Sequence, residues 1–231
     1  PMHTFDYDKI KNSQMILREA KDGEEIKTLD GQKRKLKRGA VVIEDQSRLI
    51  DLCGIMGGEN SQIDKKTRRV LLFVQTYDPV RIRKTSQEIG LRTEASSRFE
   101  KGLDTEGVIP ALTRAVFLLK ELAGAAVASK IIDIYSNPYK PKEVTLSKEK
   151  LEQYMSIDFP LSQASEILES LGFKVKVGQN QIAATVPSFR ANDIAAEVDL
   201  IEEIARIAGF DKIPNLLPAG EIKPQTDPNF Y

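Results

Sequence analysis

The 231-residue chain has no tryptophan, one cysteine and one histidine, and it carries no excess charge of either sign. A single cysteine, Cys53, excludes an intramolecular disulfide and suits a reducing compartment. Its place in the apolar run Leu49 to Met56 makes it first of all a buried small hydrophobe. With 34 basic residues against 34 acidic ones the global field is weak, so any nucleic-acid contact must come from a local basic patch. No apolar run approaches the roughly 20 residues of a membrane span. The opening Pro1-Met2-His3-Thr4-Phe5-Asp6 is neither a signal nor a transit peptide. Its apolar-polar pattern is already running at residue 2, and it is expected to lie inside a domain whose first strands are missing.

What is present is a succession of short strands followed by helices. Gln14 to Ala20 reads as a strand and Asp22-Gly23 as a turn. Glu25 to Leu29 and Lys33 to Leu36 flank the hairpin signal Asp30-Gly31. The basic run Lys33 to Arg38 suits a solvated hairpin face better than a phosphate contact. Ala40 to Glu44 and Arg48 to Met56 are further strands, the second entering Gly57-Gly58. A glycine pair permits close backbone approach of a ligand but is more often a turn. Val70 to Gln75 is an apolar strand, and Asp78-Pro79 starts a helix that Gly90 stops. Thr105 to Ala123 has Val108, Leu112, Val116, Leu119 and Leu122 at helical spacing, and Lys130 to Tyr135 is expected to be a last strand. Strands and helices do not alternate regularly, which argues for α+β over a doubly wound sheet.

Asn137 to Lys142, with two prolines, reads as a linker. Beyond it come a short strand at Val144 to Leu146 and a helix capped by Ser147. A second helix runs from Leu161 to Leu171, and a hairpin turns around Gly178-Gln179-Asn180. A third helix, capped by Asp193, is expected to run to Ala208. This order resembles a winged-helix module. The proline-rich tail from Leu217 reads as a linker.

Two stretches carry candidate chemistry. Leu91 to Asp104 crowds Thr93, Ser96 and Ser97 among Arg92, Glu94, Arg98, Glu100 and Lys101. Such clustering suits a polar pocket, although a helix cap from Ser96 or Ser97, boxed by Glu100, would account for it more simply. The third helix of the small module collects Asp193, Glu197, Asp199, Glu202 and Glu203. Asp199, Glu202 and Glu203 share one face by their spacing. The helix dipole accounts for Asp193 and Glu197. The shared face suits a hard cation such as Mg²⁺, or a basic partner.

Taken together, these segments resemble the β subunit of bacterial phenylalanine–tRNA ligase. The resemblance rests on Pro1-Met2-His3-Thr4-Phe5-Asp6, Leu29-Asp30-Gly31, Gly54-Ile55-Met56-Gly57-Gly58, Leu91 to Ser96 with Arg98-Phe99-Glu100, Val186-Pro187-Ser188-Phe189-Arg190, Asp199 to Arg206, and Gly209 to Pro214. It implies an editing domain over 1–136, a linker over 137–143, a small helical module with a hairpin over 144–217 that contacts the α subunit, and a tail over 218–231. The implied enzyme, two α and two β subunits in the cytoplasm, joins phenylalanine to tRNA(Phe) using ATP bound at the α-subunit site. Editing would hydrolyse tyrosyl-tRNA(Phe), because an apolar pocket alone rejects one added hydroxyl by only about 10²-fold. The positions matching the editing site are His3, Gly57, Gly58, Thr93 and Ala95. His3 would order the ribose or a water, the glycines would admit the substrate, Thr93 would place substrate and water, and Ala95 would keep the pocket open. With no Ser-His-Asp set, a positioned water is the expected nucleophile. The positions matching a Mg²⁺ site shared with the α subunit are Asp193, Asp199, Glu202 and Glu203.

One position departs from the family. A glutamate associated with tyrosine recognition commonly follows Val-Leu-Leu, and here Val70-Leu71-Leu72 is followed by Phe73. Phenylalanine accepts no hydrogen bond, which leaves Gln75 as the candidate acceptor on the same strand face. The departure sets a working editing site against a non-catalytic scaffold for the α subunit and tRNA. A DNA-binding winged-helix protein is the third alternative, disfavoured by the acidic third helix.

Overall fold

The computed structural model describes residues 1–46, 48–215 and Gly220, in two compact units, Pro1–Lys140 and Pro141–Tyr231. The tail expected over 218–231 lies, apart from Gly220, outside the described residues, as do the last two positions of the module expected over 144–217.

The first unit contains β1 (Met2–Asp6), β2 (Ile16–Glu19), β3 (Glu25–Lys27), β4 (Lys33–Lys35), β5 (Val41–Glu44), β6 (Leu49–Leu52), β7 (Met56–Gly57), β8 (Val70–Val74), α1 (Pro79–Glu88), α2 (Glu94–Phe99) and α3 (Val108–Ala123). Its strands pair antiparallel throughout: β1 with β8, β3 with β4, and a four-stranded sheet in the order β2-β5-β6-β7. In β6 every residue from Leu49 to Leu52 is buried. One apolar cluster gathers Leu49, Leu52, Ile55, Ile82 and Phe99; another gathers Phe5, Ile43, Ile50 and Cys53, with Phe73 and Tyr77 packed against it. Cys53 thus takes the buried place its neighbours implied.

The expected strand from Arg48 to Met56 is two strands. Gly54, at φ +70°, turns the chain back after Cys53, and a Cβ there would meet Ile82 Cδ1 at 2.9 Å and Tyr77 Cδ2 at 3.0 Å. A side chain would therefore be both strained and overpacked at this bend. The long helix starts at Val108 instead of Thr105, and Pro110 falls in its first turn, where no backbone N–H is missed. Its apolar stripe is less buried than its periodicity suggests: Leu122 is exposed, and only Ala115 of the helix is fully buried. Lys130 to Tyr135 forms no strand, and Ile132 and Ile134 are exposed. A β-favouring apolar segment becomes a strand only where a neighbour takes its backbone hydrogen bonds.

The second unit contains β9 (Glu143–Ser147), α4 (Lys148–Met155), α5 (Leu161–Ser170), β10 (Lys174–Val177), β11 (Gln181–Thr185) and α6 (Glu197–Ala208). Its antiparallel sheet has the order β10-β11-β9. Leu146, Leu151, Met155, Leu168, Ile182 and Leu200 are wholly buried in one core. Ser147 caps α4 as its sequence position suggests, its Oγ accepting from the Lys150 amide. α6 begins later than expected, at Glu197, and Asp193 is not its cap. Asp199 fills that role from inside the first turn, its Oδ2 accepting the Ala195 and Ala196 amides at 2.7 and 2.8 Å. Both units combine antiparallel sheets with helices, and the fold is α+β.

Candidate active site

The register of the first unit brings distant residues onto one face. β1 and β8 place His3 directly opposite Phe73, and β6 and β7 place Asp51 directly opposite Gly57. Side chains opposite one another across an antiparallel pair lie on the same face. The His3 ring lies over Gly57, where a Cβ would come within 2.2 Å of its Cε1. Gly57 is thus required by the imidazole packed against it. Gly58 is required by backbone instead, since a Cβ there would meet the Ile50 carbonyl at 2.7 Å. The polar groups of this pair are already used: Gly57 O accepts from the Leu29 amide at 3.0 Å, and the Gly58 amide donates to Ile50 O at 2.9 Å. The Gly58 amide is therefore already engaged, and Gly57 makes space for the imidazole. The Leu29-Asp30-Gly31 turn is in turn pinned to them by the Thr28–Gly58 bridge.

Thr93 acts at one remove. It caps α2: its Oγ1 accepts the Ser96 amide at 3.1 Å, and Ser96 Oγ accepts the Thr93 amide at 2.8 Å, completing the box. The cap is thus Thr93 and not Ser96 or Ser97, and Glu100 instead takes an ion pair from Arg92 at 2.8 Å. The Thr93 hydroxyl also donates to Ile55 O at 2.8 Å, tying α2 to the bend that leads into Gly57. Ala95 is half-buried beside the Leu49–Phe99 cluster. Arg92, Glu100 and Lys101 of this stretch line a recess of about 480 Å³ with Arg83 and Ser86, which shares no lining residue with the His3–Gly57 face.

The face is aromatic with buried polar atoms. Phe5 lies 4.4 Å from His3, edge to face, and 6.1 Å from Phe73, while Tyr77 lies 5.0 Å from Phe99. His3 Nε2, Asn60 Oδ1, Gln75 Oε1 and the Tyr77 hydroxyl are buried without a hydrogen-bond partner. Burial lowers the His3 pKa below its usual 6.5, so the ring is neutral at pH 7. Gln75 lies just past the end of β8, close enough to Tyr77 to affect its ionisation. Asp51, which sequence reasoning passed over, is 3% exposed. Burial pushes its carboxyl up to about 7, against the opposing influence of the neighbouring Cys53 thiol. A lone Asp between Ile50 and Leu52, inside an apolar strand, was the available signal.

In the second unit the four acids do not converge. Glu203, buried, accepts from Arg190 at 2.8 Å and also pairs with Arg206, and Arg190 first, then Arg206, hold its carboxyl down at about 2. Asp193 pairs with Arg190 at 2.8 Å, Asp199 is spent on two backbone amides, and Glu202 is exposed. Among the described residues no group of three or more His, Cys, Asp or Glu side chains is placed to hold a metal ion. Among the described residues, the acids do not fit a Mg²⁺ site within this chain.

Around this half-buried imidazole seated on Gly57, in a domain of short antiparallel strands, sequence comparison finds two known domains. Residues 1–124 match the B3/4 domain and residues 144–210 the tRNA synthetase B5 domain. The chain belongs to the B3/4 domain family. Its relatives narrow this further: it is 41% identical over 220 residues to the phenylalanine–tRNA ligase β subunit of Carboxydothermus hydrogenoformans, covering 95% of this chain and 27% of that one. It is 40% identical over 223 residues to the β subunit of Geobacter sulfurreducens, covering 96% and 28%. The chain therefore corresponds to a little over a quarter of the β-subunit relatives it matches. An N-terminal fragment of the phenylalanyl-tRNA synthetase β subunit from Pyrococcus horikoshii aligns at TM-score 0.46 and 17% identity, over 88% of this chain and 58% of that one. No helix among the described residues is long and apolar enough to cross a membrane.

Proposed function

We propose that the first unit is the editing site of a phenylalanine–tRNA ligase β subunit, hydrolysing the ester between tyrosine and tRNA(Phe). The observation that carries this is the His3–Gly57 contact: a neutral imidazole with an unpartnered nitrogen, seated on a glycine that leaves it room. Such a nitrogen can order a water or a ribose hydroxyl. Water adds to the ester carbonyl carbon, the bond from that carbon to the ribose oxygen breaks, and the proton passes to the leaving ribose oxygen. Thr93 positions the Ile55–Gly57 bend, and Ala95 keeps the adjoining wall small. Partners on this reading are the α subunit, which binds ATP, and tRNA(Phe), in a cytoplasmic assembly of two α and two β subunits. The second unit would supply α-subunit contact through the exposed side of α6. Mg²⁺ at that contact would need acids from the α subunit, because Asp199 and Glu203 are already engaged.

The test is misacylation. The assembled α and β subunits, given tyrosine, ATP and tRNA(Phe), should accumulate little tyrosyl-tRNA, whereas Gly57→Ala, which displaces His3, should let it accumulate. Equal accumulation by both would refute editing here and leave the scaffold reading, which the Phe73 ring favours.

A further inference from the structure

The buried Asp51 carboxyl is met by the neighbouring Cys53 thiol, which is only a weak hydrogen-bond donor. It makes no ion pair with any described residue, and it sits in a strand whose other members, Leu49, Ile50 and Leu52, are apolar and buried. An apolar side chain would suit that place better, because burying a carboxylate without a cation is costly. Buried polar groups left in this state are candidates for ligand contact.

Its neighbours point the same way. Among the described residues, every buried side-chain polar atom that lacks a partner belongs to a segment bordering β6 or the strand pair beside it: His3, Asn60, Gln75 and Tyr77. Asn60 is anchored to β6 itself, its Nδ2 donating to Leu49 O at 2.9 Å. Cys53 and Gln75 lie beside the Tyr77 hydroxyl without closing a well-aligned hydrogen bond to it. Around these polar atoms stand the rings of Phe5, Phe73 and Phe99. An aromatic wall with spare acceptors and donors at its depth is complementary to an aromatic ring with a polar tip. Phe73 is half-buried on a two-stranded pair, its ring 6.1 Å from that of Phe5.

We propose that Asp51 is the specificity-determining residue of this site: its carboxyl, assisted by Tyr77 and Gln75, accepts a hydrogen bond from the hydroxyl of a tyrosyl group and so performs from β6 the task that Phe73 cannot perform from β8. The proposal rests on the editing reading for its substrate class. A phenylalanyl group would leave the same buried carboxyl with only the weak thiol donor, and sites that hydrogen-bond a hydroxyl discriminate strongly for that reason.

The experiment uses the assembled α and full-length β subunits and two hydrolysis-resistant probes, the 3′-amide-linked tyrosyl and phenylalanyl derivatives of 3′-deoxyadenosine, in calorimetric titrations. The wild-type assembly should bind the tyrosyl probe at least about tenfold more tightly, since one satisfied buried hydrogen bond is worth that factor or more. Asp51→Val should bring the two affinities to within about twofold, by loss of that bond. Asp51→Asn, which keeps shape and polarity, should retain part of the preference and shows whether the valine variant has merely misfolded. A preference that survives Asp51→Val, or no preference in the wild type, would overturn the proposal. Hydrolysis of the natural esters separates it from the editing reading. Selective binding that depends on Asp51 without ester release would sink editing alone. Selective release that persists in Asp51→Val would sink the role of Asp51 alone.

Discussion

Replacing Asp51 by asparagine should change how stability depends on pH, and the size of the effect can be worked out. The unfolded chain gives up this proton near 3.8, whereas the folded chain holds it until about 7. Between those values the folded state binds more protons, so stability falls as pH rises through the window and is lowest above pH 7. Integrating the linkage between pH 5 and 8 gives a loss of about 2–3 kcal/mol, or a fall in Tm of roughly 5–10 °C for a domain of this size. His3 works in the opposite sense, since its folded pKa lies below 6.5 and its contribution grows as pH rises to that value. It is common to both proteins and cancels in their difference. Glu203 titrates between 4.5 and about 2, outside the range. The groups nearest Asp51, Cys53 and Tyr77, are both held protonated by burial. Urea unfolding at half-unit steps from pH 5 to 8 should therefore show the wild type losing stability relative to Asp51→Asn as pH rises. Parallel curves would refute the claim that Asp51 is buried without a compensating cation.

Gly57→Ala should cost less than Gly58→Ala, because the first meets a side chain that can move and the second meets the Ile50 carbonyl. The overpacked Gly58→Ala should lose about 2–3 kcal/mol in urea unfolding, whereas Gly57→Ala should keep the fold while altering the His3 resonance in NMR spectra. Thr93→Ala removes both the α2 cap and the bond to Ile55 O, and should cost about 2 kcal/mol, with Thr93→Ser restoring most of it. Glu203→Gln leaves Arg190 and Arg206 without their shared carboxylate and should destabilise the second unit by about 3 kcal/mol at pH 7, with the difference from wild type vanishing as pH falls from 4.5 toward 2. Millimolar Mg²⁺ should leave the melting temperature of this chain alone unchanged, and a saturable rise would show that the acids of α6 rearrange to bind it.

Local chemistry was legible where it involves neighbours in sequence. The Asp30-Gly31 turn, the Pro79 helix start, the Ser147 cap and the hairpin around Gln179 all follow from residue types whose preferences are decided within four or five positions. The bend at Gly54 was hidden because an apolar run looks the same whether it is one buried strand or two short ones folded on each other. Asp193 was mistaken for a cap because Asp199, inside the helix, reaches back to the same amides. Lys130 to Tyr135 shows the limit most plainly, since an apolar run rich in isoleucine says nothing about the partner strand it needs. In the candidate site, the family resemblance named His3, Gly57 and Gly58. It could not show that Thr93 acts through Ile55, or that Asp51 stands opposite Gly57, because both facts depend on strand register.

The most direct measurement is the rate at which the assembled α and β subunits release tyrosine from tyrosyl-tRNA(Phe), compared with phenylalanine from phenylalanyl-tRNA(Phe). Release of tyrosine well above the uncatalysed rate, with phenylalanine retained, is the predicted result. Release of neither would mean that the His3–Gly57 face only supports the assembly, and would contradict the account.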